Sequence, residues 1–470
     1  MQHREIPVAS VQVRAHDRGG FASAWPHVLQ LVDEAGEGGA KLIVLPEGTV
    51  PGYVLGNEPV QPDLLANAAE DLALAARRFG ATIVYGAAKI IDGQTYNAAI
   101  VLGPDGRELG FAAKQFLWHF DRRWYAPGYV LAPIATPVGT LGVLVCADGR
   151  IPSIAATLCD RGADALVMPT AWVTSGRDPH SFENVQADLM AAVRARENAV
   201  PFVVANKVGI ERESVAYCGK SAIFCAEGER VAGGDEAREV IVRGTIAVGG
   251  RPRPLRRSFG SVPEEPRPHA AAEPARLRIA FTPETSDAAL ARLRRYAADA
   301  DADLLLAPEA VAAHAGRSVA EVSYDATNAC AVARMPAADA VHDLPGCRVA
   351  SVTAQTLRSP RALVAARLAG IDCFVWHADG DAQWHVPFAR TRAAELRAYV
   401  VVFTGGERSF VVDPDGVVAA GTFAGLALSS FVYDRARTGA TLVAPTTDVL
   451  AGLRIAESIA GRALAETAGA

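Results

Sequence analysis

The chain has 470 residues, of which 50% are hydrophobic and 21% are charged, and its formal net charge is −6. This composition is typical of a globular protein with a large core and two or three domains. It excludes several classes: no basic face indicates a nucleic-acid partner, seven cysteines at irregular spacing argue against a disulfide framework, and no apolar stretch is long enough to cross a membrane.

The sequence also bears on the cellular compartment of the protein and on its need for a metal or another cofactor. The opening residues MQHREIPVASVQV lack the apolar core of a signal peptide, and unpaired cysteines are typical of a reducing compartment. We therefore expect a cytoplasmic protein. No CxxC pair or Cys/His cluster suggests a zinc site, and we expect no metal and no other cofactor.

Short apolar runs alternate with alanine-rich helical patterns through the first half of the chain, which predicts the α/β class. Asp-Gly and Gly-Gly pairs mark the turns between them. The predicted strands and hairpins lie at 6–13, 41–48, 82–106, 143–146, 164–172, 200–209 and 218–234. The predicted helices lie at 21–39, 63–80, 151–162 and 184–199.

A stretch rich in Pro, Arg and Ala, residues 250–276, interrupts this alternation and is typical of a linker. We assign the linker to 263–276, which separates a domain over 1–262 from a second over 277–470. Five segments of the second half echo segments of the first in the same order, which predicts an internal duplication. The alternative is that βα units of common α/β folds simply resemble one another.

Three residue types in the first half could carry nucleophilic chemistry. Cys146 ends an apolar strand just before an Asp-Gly turn, where α/β folds place ligands and chemistry. A thiol nucleophile needs a base and a group that stabilises the oxyanion. Glu47 follows the strand at 41–48, and Lys114 lies in an aromatic-rich loop. Taken singly, each has a plainer interpretation: a buried small hydrophobe, a solvated loop carboxylate and a surface lysine.

Together, the segments LPEG around Glu47, KQFL and DRRWYAPG after Lys114, and VLVCADGR around Cys146 resemble motifs of the nitrilase superfamily of carbon–nitrogen hydrolases. The resemblance extends over residues 5–262 and keeps the family's order. It implies a four-layer α-β-β-α sandwich. The predicted fold class is therefore α/β with this sandwich duplicated in tandem, the second copy being truncated.

The resemblance also implies the roles of the site residues. Glu47 would be the general base, Cys146 the nucleophile that carries a thioester, and Lys114 with the backbone N–H of Ala147 the oxyanion stabilisers. A cation beside a thiol favours the thiolate, so we expect Lys114 to lower the pKa of Cys146.

Two positions depart from the family pattern. Asp121 stands where many members carry a further glutamate, one methylene longer. Asp121 would either position the substrate or Lys114, or pair with the neighbouring Arg122 or Arg123. Phe116 stands where the family often has histidine.

The residues around the nucleophile favour one class of substrate. True nitrilases of this superfamily typically read Cys-Trp-Glu, whereas this chain reads Cys146-Ala147-Asp148, which is similar to the amidase and carbamoylase branches. We predict hydrolysis of a small linear amide, with acyl transfer to an amine or nitrile hydrolysis as alternatives. Aromatic candidates for substrate contacts, or else for ordinary loop packing, are Trp118, His119, Tyr125 and Trp172.

The second half is predicted to be a degenerate, non-catalytic copy. Aligning Ala163-Asp164 of the first half with Ile371-Asp372 of the second gives an offset of 208 positions. With this offset, Ala354 corresponds to Cys146. Glu309 occupies the position of the base, but the interval that would hold the lysine loop is shortened. Because domains of this superfamily commonly pair, we expect the two halves to form an intrachain pseudo-dimer, with further homo-oligomers open. The alternative is a loosely tethered domain.

Overall fold

The computed structural model describes residues 3–174, 182–250, 254–256, 276–309, 321–325, 328–344, 346–406 and 408–468. The chain divides into two compact units. Unit 1 comprises Met1–Pro254 together with Ala444–Thr447 and Ile455–Ala470. Unit 2 comprises Leu255–Val443 and Asp448–Arg454. The linker predicted over 263–276 lies outside the described residues except for Arg276, which begins a strand of unit 2.

The first 254 residues of unit 1 contain fourteen described strands and four described α-helices. The strands are β1 (Arg4–Gln12), β2 (Leu42–Val44), β3 (Thr82–Ile91), β4 (Gln94–Leu102), β5 (Glu108–Ala113), β6 (Ile134–Thr136), β7 (Gly139–Val143), β8 (Ala165–Pro169), β9 (Phe202–Ala205), β10 (Val208–Glu211), β11 (Val215–Cys218), β12 (Ala222–Phe224), β13 (Arg230–Gly233) and β14 (Val240–Val248). The helices are α1 (Phe21–Glu37), α2 (Pro62–Phe79), α3 (Pro152–Asp160) and α4 (Ala191–Asn198).

Local sequence explains these elements well. Helix α2 begins with Pro62 and ends at Phe79. Gly80 follows it in the left-handed conformation, at φ +56°, and both residues are typical of helix termini. Every residue of β8 and of β9 is buried, which is what a continuous apolar run predicts for parallel strands covered on both faces.

Unit 1 is a four-layer sandwich, as predicted. One sheet has the strand order β14-β1-β2-β3-β4-β5 and the other has the order β13-β12-β9-β8-β7-β6. Strands β1, β2 and β3 are parallel, as are β7, β8 and β9. The two sheets pack against each other, with α1 and α2 covering the first sheet and α3 and α4 covering the second. This arrangement brings the carboxyl ends of β2, β7, β8 and β9 to one end of the sandwich.

Residues 276–443 of unit 2 contain the next strands and helices. The strands are β15 (Arg276–Phe281), β16 (Leu304–Pro308), β17 (Glu321–Asp325), β18 (Asn328–Met335), β19 (Ala340–Leu344), β20 (Cys347–Thr353), β21 (Cys373–His377), β22 (Tyr399–Phe403), β23 (Ser409–Val412), β24 (Val418–Gly421) and β25 (Ser429–Asp434). The helices are α5 (Asp287–Asp299), α6 (Ala354–Leu357), α7 (Pro360–Leu368), α8 (His385–Leu396) and α9 (Arg435–Gly439). The last elements of the chain are β26 (Leu442–Ala444), β27 (Thr447–Asp448) and α10 (Val449–Ala468).

Unit 2 has two sheets of its own, with the orders β17-β18-β16-β15-β25 and β19-β20-β21-β22-β23-β24. The second has the same order and strand directions as the β6-β7-β8-β9-β12-β13 sheet of unit 1. In the first, β18 runs parallel to β16 and is followed by β19 after a short turn. Along the chain, this turn replaces the two strands that lead to Lys114 in unit 1.

A buried apolar cluster from both sheets forms the core of unit 2. Within the described part of the chain, no helix has the length and apolar character needed to cross a membrane.

Candidate active site

The end of β7 places Cys146 in a strained turn. Cys146 opens a 3₁₀ turn, Cys146–Arg150, and its φ is +48°. A non-glycine residue reaches this left-handed region only at an energetic cost, of order 1–3 kcal/mol, and such strain clusters at functional sites. The side chain is buried. The predicted strand thus ends earlier, at Val143, and Leu144 and Val145 lead from it into the Cys146 turn.

Glu47, Lys114 and Asp121 form a fully buried ionic cluster. Lys114 Nζ lies 2.8 Å from Glu47 Oε1 and 2.6 Å from Asp121 Oδ2, and all three side chains have 0% exposure. Burial by itself would lower the pKa of the Lys114 ammonium, but the carboxylates of Asp121 and Glu47 outweigh it and hold that pKa well above its ordinary value. Lys114 is therefore a fixed cation at neutral pH.

Several contacts fix the Glu47 carboxylate. Asn97, on β4, donates from Nδ2 to Glu47 Oε1 at 2.6 Å, alongside Lys114. Within the described residues, the buried Oε2 atom has no hydrogen-bond partner, so this oxygen can still accept a proton. The backbone N–H of Glu47 donates to Thr170 O at 3.3 Å, which joins the ends of β2 and β8.

The backbone beside Glu47 is closely packed against a glycine. A Cβ on Gly86, in β3, would come within 2.4 Å of both Glu47 Cα and the carbonyl oxygen of Pro46. No real Cβ atom makes contacts this short, so only glycine allows β3 to approach the Glu47 turn so closely.

Asp121 contacts the lysine, not the adjacent arginines. Its Oδ1 accepts from the hydroxyl of Tyr53 at 2.7 Å, and its Oδ2 accepts from the backbone N–H of Trp118 at 2.9 Å. Arg122 and Arg123 are both exposed, whereas Asp121 is buried. Of the partners that the sequence left open for Asp121, the structure shows a contact with Lys114.

Lys114 lowers the pKa of Cys146, as expected, but burial has the larger effect. Burial and the nearby Glu47 carboxylate raise the pKa of the Cys146 thiol far above its ordinary value, and the ammonium of Lys114 lowers it only in part. The resting thiol is thus protonated, and a base must take its proton when it reacts.

Asp148, two residues after the cysteine, holds the lysine loop against the Cys146 turn. Its Oδ1 accepts from the backbone N–H groups of Gln115 and Phe116, and its Oδ2 from that of Val145. Burial raises the pKa of Asp148 to about 7, although these hydrogen bonds oppose the rise. The sequence does not predict this role of Asp148, because nothing local indicates where its oxygens point.

A second buried pair supports the segment that follows Glu47. Lys207 Nζ donates to Gly48 O at 2.9 Å and to Glu211 Oε2 at 3.3 Å. Glu211 Oε1 accepts from the backbone N–H of Val54. Lys207 follows an apolar strand just as Glu47 does, so the same cost of burying a charge could have identified it.

The aromatic candidates divide into two groups. Trp118 and His119 are partly exposed, in the loop that carries Asp121. Tyr125 is buried and its hydroxyl donates to Tyr53 O at 3.2 Å, so it packs the interior of the loop. Trp172 is buried just beyond β8, and its backbone N–H donates to the side chain of Asn206.

Two other predicted features have clear positions. Ala147 is buried in the turn directly after Cys146, and Phe116 is buried with its backbone N–H on Asp148. Among the described residues, no group of three or more His, Cys, Asp or Glu side chains is arranged to hold a metal ion.

Comparison with known proteins identifies the family. Residues 7–250, just over half of the chain, match the family described as carbon-nitrogen hydrolase. A probable nitrilase of Schizosaccharomyces pombe is 30% identical over 224 residues, which cover 46% of this chain and 79% of that protein. An (R)-stereoselective amidase of a Pseudomonas species is 29% identical over 209 residues, covering 43% of this chain and 73% of that protein.

Solved structures give matches of the same extent. An amidase from a Nesterenkonia species has a TM-score of 0.47 at 22% identity, with 51% of this chain and 89% of that chain covered. A carbon-nitrogen hydrolase from Helicobacter pylori has a TM-score of 0.45 at 22% identity, with 52% and 89% covered. On the match over residues 7–250, this chain belongs to the carbon-nitrogen hydrolase family, the nitrilase superfamily that its sequence motifs resemble.

Proposed function

We propose that the chain hydrolyses the C–N bond of a small linear carboxamide through a thioester on Cys146. One observation carries this proposal: Glu47, Lys114 and Asp121 form a fully buried cluster, and Asp148 of the Cys146 turn binds the backbone directly after Lys114. A base, a cation and a thiol are the groups that nucleophilic acyl chemistry needs.

Acylation begins with the thiol protonated. As Cys146 Sγ attacks the carbonyl carbon, its proton passes to the Glu47 carboxylate, for which the unpartnered Oε2 is available. The C–S bond forms and the carbonyl oxygen becomes an oxyanion. Lys114 Nζ and the backbone N–H of Ala147 would stabilise that charge.

Collapse of the tetrahedral intermediate completes the first half-reaction. Glu47 returns the proton to the amide nitrogen, the C–N bond breaks, and ammonia leaves the thioester. A water molecule then attacks the thioester and gives a proton to Glu47. The C–S bond breaks, the carboxylic acid leaves, and the proton returns to the thiol of Cys146. In both halves, Asp121 acts by holding Lys114.

Two observations bear on the nature of the substrate. The Cys146-Ala147-Asp148 sequence favours an amide over a nitrile, and the relatives include proteins named as amidases and proteins named as nitrilases. We propose that the partly exposed Trp118 and His119 contact the substrate. Tyr125 and Trp172, the other two candidates, are buried. Acyl transfer to an amine would use the same residues.

A substrate panel tests the reaction. Acetamide, butyramide, benzamide and phenylacetamide, with the matching nitriles, are assayed for ammonia release with and without hydroxylamine. We expect amide hydrolysis, and an acyl adduct on Cys146 by intact-protein and peptide mass spectrometry. Cys159→Ala changes another buried cysteine of unit 1 and serves as the control. Turnover of nitriles alone, or hydroxamate formation with no hydrolysis, would replace the proposal by one of its alternatives.

We also propose that unit 2 is a duplicated copy that has lost its chemistry. The matching order of its second sheet supports this, as does a buried Arg–Glu pair in each unit, Arg194–Glu197 in α4 and Arg392–Glu395 in α8. In unit 1, Leu141 pairs with Ala165, and in unit 2, Val349 pairs with Cys373. Matching the first pair with the second gives the offset of 208 at both positions. With this offset, Ala354 corresponds to Cys146.

We further propose that the two halves, 1–262 and 277–470, form an intrachain pseudo-dimer. Co-expression of residues 1–262 and 263–443 as separate chains tests it, with the affinity tag on the second chain alone. The second chain stops at residue 443 because 444–447 and 455–470 belong to unit 1. We expect the first chain to co-purify with the second. Independent purification of an active chain over 1–262 would contradict the proposal.

A further inference from the structure

The loop that carries Asp121 contains an unusual backbone conformation. His119 begins the 3₁₀ turn His119–Arg123 and has φ +42°. This left-handed conformation is unfavourable for a residue other than glycine and persists only where surrounding contacts hold it. His119 lies two residues before Asp121, so its conformation sets where the Asp121 carboxylate points.

Two consecutive threonines from near the end of the chain hold His119 by its backbone. The N–H of His119 donates to Thr447 Oγ1 at 2.7 Å, and Thr446 Oγ1 donates to the carbonyl oxygen of His119 at 3.1 Å. Thr447 is fully buried, and its own hydroxyl donates to Pro445 O at 3.3 Å. That orientation leaves an oxygen lone pair for the N–H of His119. Both contacts are internal to unit 1.

The terminal segment of unit 1, which comprises Ala444–Thr447 and Ile455–Ala470, makes a second contact with the helix that follows Cys146. Ser153, buried in the first turn of α3, donates to the carboxylate of Glu457 in α10. Helix α3 directly follows the Cys146–Arg150 turn. The terminal segment of unit 1 thus contacts both the loop of Asp121 and the helix beyond Cys146, although the family match ends at residue 250.

We propose that Thr446 and Thr447 are positioning residues, which hold the Asp121 loop so that Asp121 stays on Lys114. The inference rests on the proposed function for its effect on catalysis. Lys114 Nζ and Asp121 Oδ2 are 2.6 Å apart, and both side chains are fully buried. A displacement of the loop by about 1 Å therefore breaks this hydrogen bond. Misplacement of this size costs up to about 10²-fold in rate.

The test removes one hydroxyl at a time. Thr447→Val eliminates the acceptor for the N–H of His119, Thr446→Val eliminates the donor to its carbonyl, and Thr447→Ser restores the first contact. Thr441→Val is the matched control, because Thr441 makes its hydrogen bonds to Gly439 and Val449 with backbone atoms. Each full-length variant is assayed for kcat and KM on the panel amide that the wild type hydrolyses fastest. Hydrogen exchange is followed by mass spectrometry in peptides covering 117–125.

We expect Thr447→Val to lower kcat roughly tenfold or more while KM changes little, because Lys114 acts on the charge of the transition state. Exchange in peptides 117–125 becomes faster, and Thr447→Ser restores both. A kcat equal to that of Thr441→Val, or unchanged exchange, overturns the inference. A loss that Thr447→Ser does not repair also overturns it. If the wild type hydrolyses no amide, the proposed function fails, whereas the exchange experiment still decides whether the threonines hold the loop.

Discussion

Replacing Lys114 by methionine tests the buried ionic cluster most directly. Methionine nearly keeps the volume of the side chain but leaves the carboxylates of Glu47 and Asp121 without their cation. At an effective dielectric constant of about 20, charges 2.6 and 2.8 Å apart attract by about 6 kcal/mol each. Desolvation of all three groups offsets much of this, and breaking a buried pair by removing one partner costs about 3–5 kcal/mol.

We therefore expect Lys114→Met to lower both stability and activity. The free energy of unfolding, from urea titration, falls by about 3–5 kcal/mol, which for a domain of this size lowers Tm by roughly 6–20 °C. The kcat falls by about 10²-fold or more, because the oxyanion loses its cation.

The chain offers a matched control and a coupled variant. Lys89 Nζ lies 2.8 Å from Glu108 Oε1, the same separation as in the buried pair, but both side chains are partly exposed. We expect Lys89→Met to cost at most about 1 kcal/mol. Adding Asp121→Asn to Lys114→Met removes one stranded charge, so the double variant should be more stable than the sum of the single effects. Additive effects, or equal losses for Lys114→Met and Lys89→Met, would refute the reasoning.

Three further predictions follow from single residues. Cys146→Ala should abolish both turnover and acyl labelling in intact-protein mass spectra, and retention of full activity would exclude the thioester. Gly86→Ala should reduce kcat by displacing Glu47, whereas Gly19→Ala, where a Cβ meets nothing within 4 Å, should have wild-type kinetics; equal rates would argue against the close approach. The raised pKa of Asp148, about 7 against about 3.9 when unfolded, means that the folded state binds more protons, so this group's contribution to stability falls as pH rises through that window. The difference in unfolding free energy between wild type and Asp148→Asn, from urea titrations at several pH values, should fall between about pH 4 and 7, and a constant difference would contradict it.

The sequence by itself determined the features that depend on local pattern. Apolar runs and helical periodicity gave the order of strands and helices, and the punctuation of those runs placed Cys146 and Glu47 at strand ends. Parallel strands present their carboxyl ends at one edge, so two polar residues at such ends can be expected to meet. The family motifs added Lys114, which lies in a loop that no periodicity describes.

Only the tertiary structure decided how these residues are held and charged. Asp121 reaches Lys114 instead of Arg122, and Asp148 reaches the lysine loop, because sheet packing sets side-chain directions that no neighbouring residue encodes. The thiol of Cys146 stays protonated because burial outweighs the nearby cation. Thr447 meets His119 across 328 positions of the chain. Contacts between residues so far apart in the chain depend on how the layers assemble. Burial sets both the pKa values and the strength of the ion pairs, and it exists only after the layers have assembled.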